Sequence, residues 1–184
     1  MKKHGGFSLL EVIIVIFISA VVVLAVFEIY ITLSKTYLLQ HASINASSGA
    51  AAFVNELQDM AHQADAIETS ASISGTTYTS GSTTVVFELP AVNSSGDVLS
   101  NTYDYVTLYA TSTNAYRVID ANASSARVDG TKKLSDVVQN LTFTYDTGTP
   151  STATAVTIDM TTATTVKSNT VQTRLKQQVY LRNN

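Results

Sequence analysis

The sequence predicts an α+β fold, in which one long N-terminal helix precedes an antiparallel β-sheet. An apolar run near the N-terminus is longer than the ~20 residues that span a bilayer, and an amphipathic helical pattern follows it. From residue 83 onward, short segments alternate apolar with polar side chains and are separated by turn-forming residues. A helix followed by a run of strands is the order typical of α+β proteins.

The apolar run comes first in the chain. Residues 12–27 carry no charge, and apolar residues flank them on both sides. Lys2 and Lys3 precede the run and only Lys35 follows it closely, which predicts a single membrane span with the N-terminus in the cytoplasm. In an ordinary secretory signal a cleavage site follows a shorter apolar core, whereas here the Gly5–Gly6 pair precedes the run.

Glu11 is the one carboxylate near the start of this apolar helix. A carboxylate at the centre of a membrane helix costs roughly 2.5–3.5 kcal/mol on insertion scales, so it is a candidate functional residue. The alternative is a signal-anchored surface protein in which Glu11 lies near the cytoplasmic interface and is hydrated.

The helix is predicted to continue beyond the membrane, over about residues 8–66. An apolar stripe with steps of three and four residues predicts that this outer half packs on the sheet. The stripe consists of Phe53, Leu57, Met60, Ala64 and Ile67. Residues 42–52 are mostly Ala and Ser with one Gly, which predicts a thin or locally loosened stretch that lets a neighbouring helix approach closely.

The strands follow in order. The predicted strands or strand cores are residues 83–89 (ending at Pro90), 103–110, 116–120, 141–145, 156–160 and 171–181. Residues 93–97 form a predicted turn, and the Ser/Thr-rich stretches 69–82 and 147–155 are predicted loops or edge strands. The last strand places Arg174, Lys176 and Arg182 on one face, where they either dock a partner or prevent edge-to-edge pairing.

Composition argues against several functions. The chain has 184 residues and a net charge of −3, which gives no support to nucleic-acid binding. It has no Cys, so thiol chemistry and Cys-ligated metals are excluded. His41 and His62 lie about 31 Å apart along the predicted helix, too far to share a metal. We therefore predict no catalytic site, no metal site and no cofactor.

Two minor possibilities stay open. Residues 93–97 offer oxygen atoms for calcium but lack the spacing of an EF-hand loop. Four sites match the glycosylation sequon, although several matches are expected by chance in a chain so rich in Ser and Thr. These sites are Asn45, Asn93, Asn122 and Asn140.

The N-terminus also carries a family resemblance. Gly6-Phe7-Ser8-Leu9-Leu10-Glu11 with the apolar helix resembles the class III signal of type IV prepilins and type II secretion pseudopilins. The resemblance implies a pilin-like fold, cleavage by prepilin peptidase between Gly6 and Phe7, and N-methylation of Phe7. It also implies that Glu11 pairs with the terminal amine of a neighbouring subunit. Unlike many major pilins, the chain has no Pro in the first half of the helix, and Glu28 occupies that region.

The same resemblance implies a domain division and a set of partners. Residues 1–6 correspond to the leader peptide, 7–33 to the transmembrane and filament-core helix, 34–66 to its outer half, and 67–184 to the β-rich globular domain. The implied partners are other pilin or pseudopilin subunits, prepilin peptidase and the inner-membrane assembly platform. The protein is expected in the inner membrane and then in an extracellular or periplasmic filament.

A narrower resemblance concerns the subtype. Residues 134–145 and 179–183 resemble the C-terminal domain of J-type minor pseudopilins and PilW-like minor pilins. Glu11 argues against the K-type pseudopilin, whose pattern lacks this residue. The sequence therefore predicts a non-enzymatic minor subunit. The alternatives are a major pilin, a membrane-anchored adhesin that does not polymerise and, least favoured, an enzyme.

Overall fold

The computed structural model describes residues 8–182 and confirms the α+β fold. Helix α1 runs without interruption over Leu9–Ala61. The strands are β1 (Ala66–Glu68), β2 (Ser70–Ile73), β3 (Thr76–Thr79), β4 (Thr84–Val92), β5 (Val98–Thr111), β6 (Asn114–Asp120), β7 (Gly130–Ser135), β8 (Val138–Tyr145), β9 (Ala155–Val166) and β10 (Asn169–Tyr180). A short 3-10 helix, Pro150–Thr152, lies between β8 and β9.

The chain divides into two units, one ending at His41 and the other beginning at Ala42. In the first unit, no described residue is buried, and large apolar side chains such as Phe17 (69% exposed) are open along the helix. By length and composition, α1 is able to cross a membrane. An apolar surface of this extent requires lipid or other helices as its surroundings.

The second unit carries its own core, because every buried described residue lies at Ala42 or beyond. Its strands form a five-stranded sheet in the order β1-β4-β5-β6-β7, a three-stranded sheet in the order β10-β9-β8, and the β2–β3 hairpin. The core lies between the helix and the two larger sheets, with Phe53 of α1 close to Phe143 of β8. A smaller cluster of Ile73, Val86 and Val118 lies beneath the hairpin.

The small residues of the outer helix pack against the chain's own domain. Ala42, Ala46 and Ala50 are buried, and the hydroxyl of Thr162 on β9 donates a hydrogen bond of 2.7 Å to the carbonyl of Ala46. The stretch is thin, as one of the two expectations had it, but the expectation that it is locally loosened was wrong. The helix is continuous here, and small side chains at spacings of four allow it to lie close to the sheet.

An ion-pair cluster fixes the same part of the helix to the five-stranded sheet. Glu56 is 12% exposed and accepts hydrogen bonds from Arg117 on β6 and, at 3.1 Å, from Lys132 on β7. Burial works to raise the pKa of Glu56, but the two cations outweigh it and hold the pKa below its usual value. The stabilisation that these ion pairs give is therefore fully present above the ordinary carboxyl pKa. It is lost as the pH falls through the lowered pKa of Glu56.

The helix ends at Ala61, earlier than the expected residue 66. The backbone N–H of Asp65 already donates to the carbonyl of Glu88 on β4, and β1 begins at Ala66. Ile67, the last residue of the apolar stripe, is 1% exposed but belongs to this strand. Ile67 had fitted the helical spacing of the stripe because β1 buries it in the same core as the apolar face of the helix.

The expected strands correspond to β4, β5, β6, β8, β9 and β10, but β4 continues through Pro90 to Val92. The backbone of Glu88 faces β1, so that of Pro90, two residues later, faces the same side. β1 begins opposite Glu88 and runs away from Pro90, so the missing N–H of Pro90 leaves no bond to β1 unmade. The turn at residues 93–97 is confirmed, whereas β1 and β7 were not anticipated.

Gly49 allows the helix to approach the turn between β7 and β8, so we expect Gly49→Ala to destabilise the domain. A Cβ at this position would lie 2.6 Å from Oγ of Ser135 and 3.1 Å from Cγ2 of Val137. Ala raises helix propensity by about 1 kcal/mol, but overpacking costs about 1–3 kcal/mol. Chemical denaturation of a fragment that begins at residue 34 measures the difference.

The control is Ser48→Ala, on the exposed neighbouring position, which we expect to leave stability unchanged or slightly raised. Adding Ser135→Ala to the Gly49→Ala variant removes the closest contact and should restore part of the loss. A Gly49→Ala variant as stable as the Ser48→Ala control would contradict the close packing.

Candidate processing and assembly site

The described chain begins with a capped helix start. Ser8 precedes α1, and its Oγ accepts a hydrogen bond from the backbone N–H of Glu11 at 3.3 Å. In return, Oε2 of Glu11 accepts the backbone N–H of Ser8 at 2.8 Å and its hydroxyl at 3.2 Å. This reciprocal pattern is a capping box, which satisfies two N–H groups that the first turn of a helix leaves unpaired.

The cap uses one side of the Glu11 carboxylate. All the hydrogen bonds go to Oε2, and Oε1 has no hydrogen-bond partner among residues 8–182. The carboxylate also lies in the first turn, at the positive end of the helix dipole, which favours a negative charge there. Glu11 can therefore cap its own helix and still offer an oxygen atom to an external cation.

The capping box was not anticipated, although the sequence contains its signature. Ser8-Leu9-Leu10-Glu11 is an S-x-x-E motif directly before an apolar run. The expected roles of Glu11 were those of a carboxylate in a membrane segment and of a partner for a neighbouring subunit's terminal amine. The structure therefore adds a local role for this residue to the expected role in assembly.

The other two predicted site residues, Gly6 and Phe7, lie outside the described residues. Cleavage between them and methylation of Phe7 stay predictions. The nearest described residue, Ser8, is not helical, and the first helical residue is Leu9.

The described residues contain no group of His, Asp and Glu side chains suited to a metal ion. In the predicted turn, Oδ1 of Asn93 accepts the backbone N–H groups of Ser95 and Asp97, each at 2.9 Å. The amide of Asn93 donates to the Asp97 carboxylate at 3.2 Å, so these two side chains bind each other. The calcium possibility gains no support from this geometry.

One fully buried charge lies elsewhere in the domain. Asp104 on β5 is 0% exposed, and its carboxylate accepts hydrogen bonds from Arg127 at 2.6 Å, from the hydroxyl of Ser125 at 2.7 Å and from the backbone N–H of Asn122 at 2.8 Å. Arg127 also donates to the carbonyl of Pro90. These bonds hold the loop of residues 121–129 against the part of β4 that β1 leaves uncovered, so the cluster has a structural role.

Comparison with known proteins gives one match. Residues 1–27 match the family model of the prokaryotic N-terminal methylation motif. No curated protein and no solved structure matches the chain. The motif supports the type IV pilin and pseudopilin family and indicates a structural subunit that prepilin peptidase processes. The residues that the family model matches include the Ser8–Glu11 cap and the exposed apolar start of α1.

Proposed function

We propose that the protein is a minor subunit of a type IV pilus or of a type II secretion filament. The observation that carries this proposal is the methylation motif at residues 1–27, which is continuous with a long apolar helix with no buried residue before Ala42. The chain is held in the inner membrane with its N-terminus in the cytoplasm, as the lysine distribution predicts. It then enters the filament through its helix.

The assembly step needs no catalysis by this chain. Prepilin peptidase hydrolyses the peptide bond between Gly6 and Phe7, and the new amine of Phe7 receives a methyl group. In the filament, the positively charged amine of one subunit lies near the Glu11 carboxylate of another. Pairing the two opposite charges avoids the free-energy cost of burying either one without a counter-ion.

The minor role rests on the resemblance of residues 134–145 and 179–183 to J-type and PilW-like domains. A major pilin would have the same N-terminus and would differ in abundance. Quantitative proteomics of sheared filaments separates the two functions, because a minor subunit stays well below the most abundant pilin. A membrane-anchored adhesin that does not polymerise would be missing from this fraction.

Gly6→Val tests the proposed processing. A β-branched side chain next to the cut bond hinders the approach of the peptidase, so we expect the uncut precursor to accumulate in the inner membrane. Intact-mass measurement of the membrane fraction checks this. Gly5→Val, one residue farther from the cut, is the matched control and should be processed to a greater extent. Normal cleavage of Gly6→Val would contradict the assigned cleavage site.

A further inference from the structure

β10 is the outer strand of the three-stranded sheet and has an unusually open edge. It pairs with β9 over all 12 of its residues without a register shift. Among the residues that the structure describes, no strand pairs with its other edge. Strands usually have about five or six residues, and an edge of this length is a template for another strand.

The hydrogen bonds identify the backbone groups that are free. The carbonyl of Thr173 faces β9, because it accepts the hydroxyl of Thr162 at 3.3 Å. Successive residues of a strand direct their backbone groups to opposite sides, so the even-numbered residues of β10 face the open edge. These residues are Thr170, Gln172, Arg174, Lys176, Gln178 and Tyr180, and all of them are exposed.

The other main edges are shorter or covered. Beside β8, the N–H of Phe143 donates to the carbonyl of Ser82, and that of Val138 donates to the carbonyl of Thr113. β1 has three residues, and the loop of residues 121–129 covers β4 beyond it through the bond from the Ala126 N–H to the Val92 carbonyl. β7 has six residues, and its pairing contains a register shift. β10 is therefore the long, regular edge that no other described strand or loop covers.

Two further features indicate what this edge accepts. Val171 and Leu175, on the core side of β10, are only half-buried, so an added strand would cover apolar surface. On the outer side, Arg174 binds Asp159 at 2.8 Å and Lys176 lies opposite the same carboxylate. One carboxylate faces two cations, so this part of the edge carries a net positive charge.

We propose that the open edge of β10 accepts a strand from a different filament subunit, one whose outward side chains opposite Arg174 and Lys176 include carboxylates. This inference rests on the proposed filament function. Cross-strand pairs of opposite charge stabilise a sheet and like charges destabilise it. Two copies of β10 paired antiparallel about residue 175 would place Lys176 opposite Arg174, so the cations disfavour a second copy of this chain.

Pro substitution at an edge-facing position is the first test. Gln172→Pro removes an N–H that β9 does not use, so the domain should fold, but the added strand loses a bond and meets the Pro ring. In filament-producing cells, we expect normal processing and membrane levels but at least tenfold less protein in sheared filaments. The matched control, Gln172→Thr, keeps the N–H and should assemble like the wild type. Equal melting temperatures of the full-length chains in detergent establish that the fold is retained.

Charge reversal is the second test. Lys176→Glu would repel the carboxylates of the proposed partner and should reduce incorporation, whereas Lys176→Arg should not. Wild-type incorporation of either Gln172→Pro or Lys176→Glu would overturn the proposal. If the wild-type chain itself were missing from filaments, the proposed function would fail instead, so the two failures are distinguishable.

Hydrogen exchange of the wild-type chain gives a signature that other contacts do not produce. In the detergent-solubilised chain, the even-numbered amides of β10 should exchange quickly and the odd-numbered ones slowly. In filaments, the even-numbered amides should become protected too. Unchanged alternation would contradict strand addition. A disulfide-linked homodimer of the Gln172→Cys, Gln178→Cys double variant, in this chain without other Cys, would show that a second copy occupies the edge.

Discussion

Glu11→Gln is expected to lower incorporation into filaments about tenfold or more, while the protein stays processed and membrane-inserted. Gln is accepted at this position of a capping box, so the bond from the Ser8 N–H is kept. What Gln removes is the negative charge. In the filament, the amine of a neighbouring Phe7 would then be buried without a counter-ion, and breaking a buried pair in this way costs about 3–5 kcal/mol.

Two further variants separate the charge of Glu11 from its capping role. Glu11→Val removes both, and should assemble as poorly as Glu11→Gln or worse. Ser8→Ala removes the capping hydroxyl but keeps the charge, and should cost about 1 kcal/mol of helix stability with near-normal assembly. The amount of protein in sheared filaments, relative to the membrane fraction, measures each effect. If Glu11→Gln assembled like the wild type while Glu11→Val did not, capping rather than ion pairing would be the function of this residue.

The largest loss of fold stability is expected from Arg127→Met. Asp104 is 0% exposed, and Arg127 supplies the only cation that binds its carboxylate among the described residues. Removing one partner of a buried ion pair costs about 3–5 kcal/mol, because the other charge is left uncompensated. We therefore expect the melting temperature of the fragment that begins at residue 34 to fall by about 10 °C. Circular dichroism of the β-rich domain measures it.

Two controls identify the cause of that loss. Arg127→Lys keeps the charge but cannot bind the Asp104 carboxylate, the Pro90 carbonyl and the Gln63 amide together, so a smaller loss is expected. Arg127→Met combined with Asp104→Asn removes the unpaired charge and should be less destabilised than Arg127→Met alone. A double variant less stable than the single one would show that the loop contacts, rather than the charge pair, determine stability.

The sequence was sufficient for the features that depend on long, regular patterns. The apolar run and the stripe that includes Phe53 and Leu57 predicted the helix and its buried face. The alternation of Leu141, Phe143 and Tyr145 predicted β8. These patterns are reliable because burial selects the same kind of side chain at every repeat.

Features that depend on contacts between distant residues were not predictable. β1 contributes one fully buried residue, Ile67, and its pairing with β4 decides that it is a strand. β7 (Gly130–Ser135) is mostly exposed and lacks apolar alternation. The close approach at Gly49 depends on Ser135, which is remote in sequence. The Ser8–Glu11 cap, in contrast, was local and readable from the sequence.

The most direct test of the filament function is the intact mass of the protein recovered from sheared filaments. We expect a chain that has lost residues 1–6 and carries one methyl group on the amine of Phe7. Fragmentation of the N-terminal peptide locates that methyl group. A filament-derived protein that begins at Met1 would contradict the processing, and filaments that do not contain this chain would contradict the filament function.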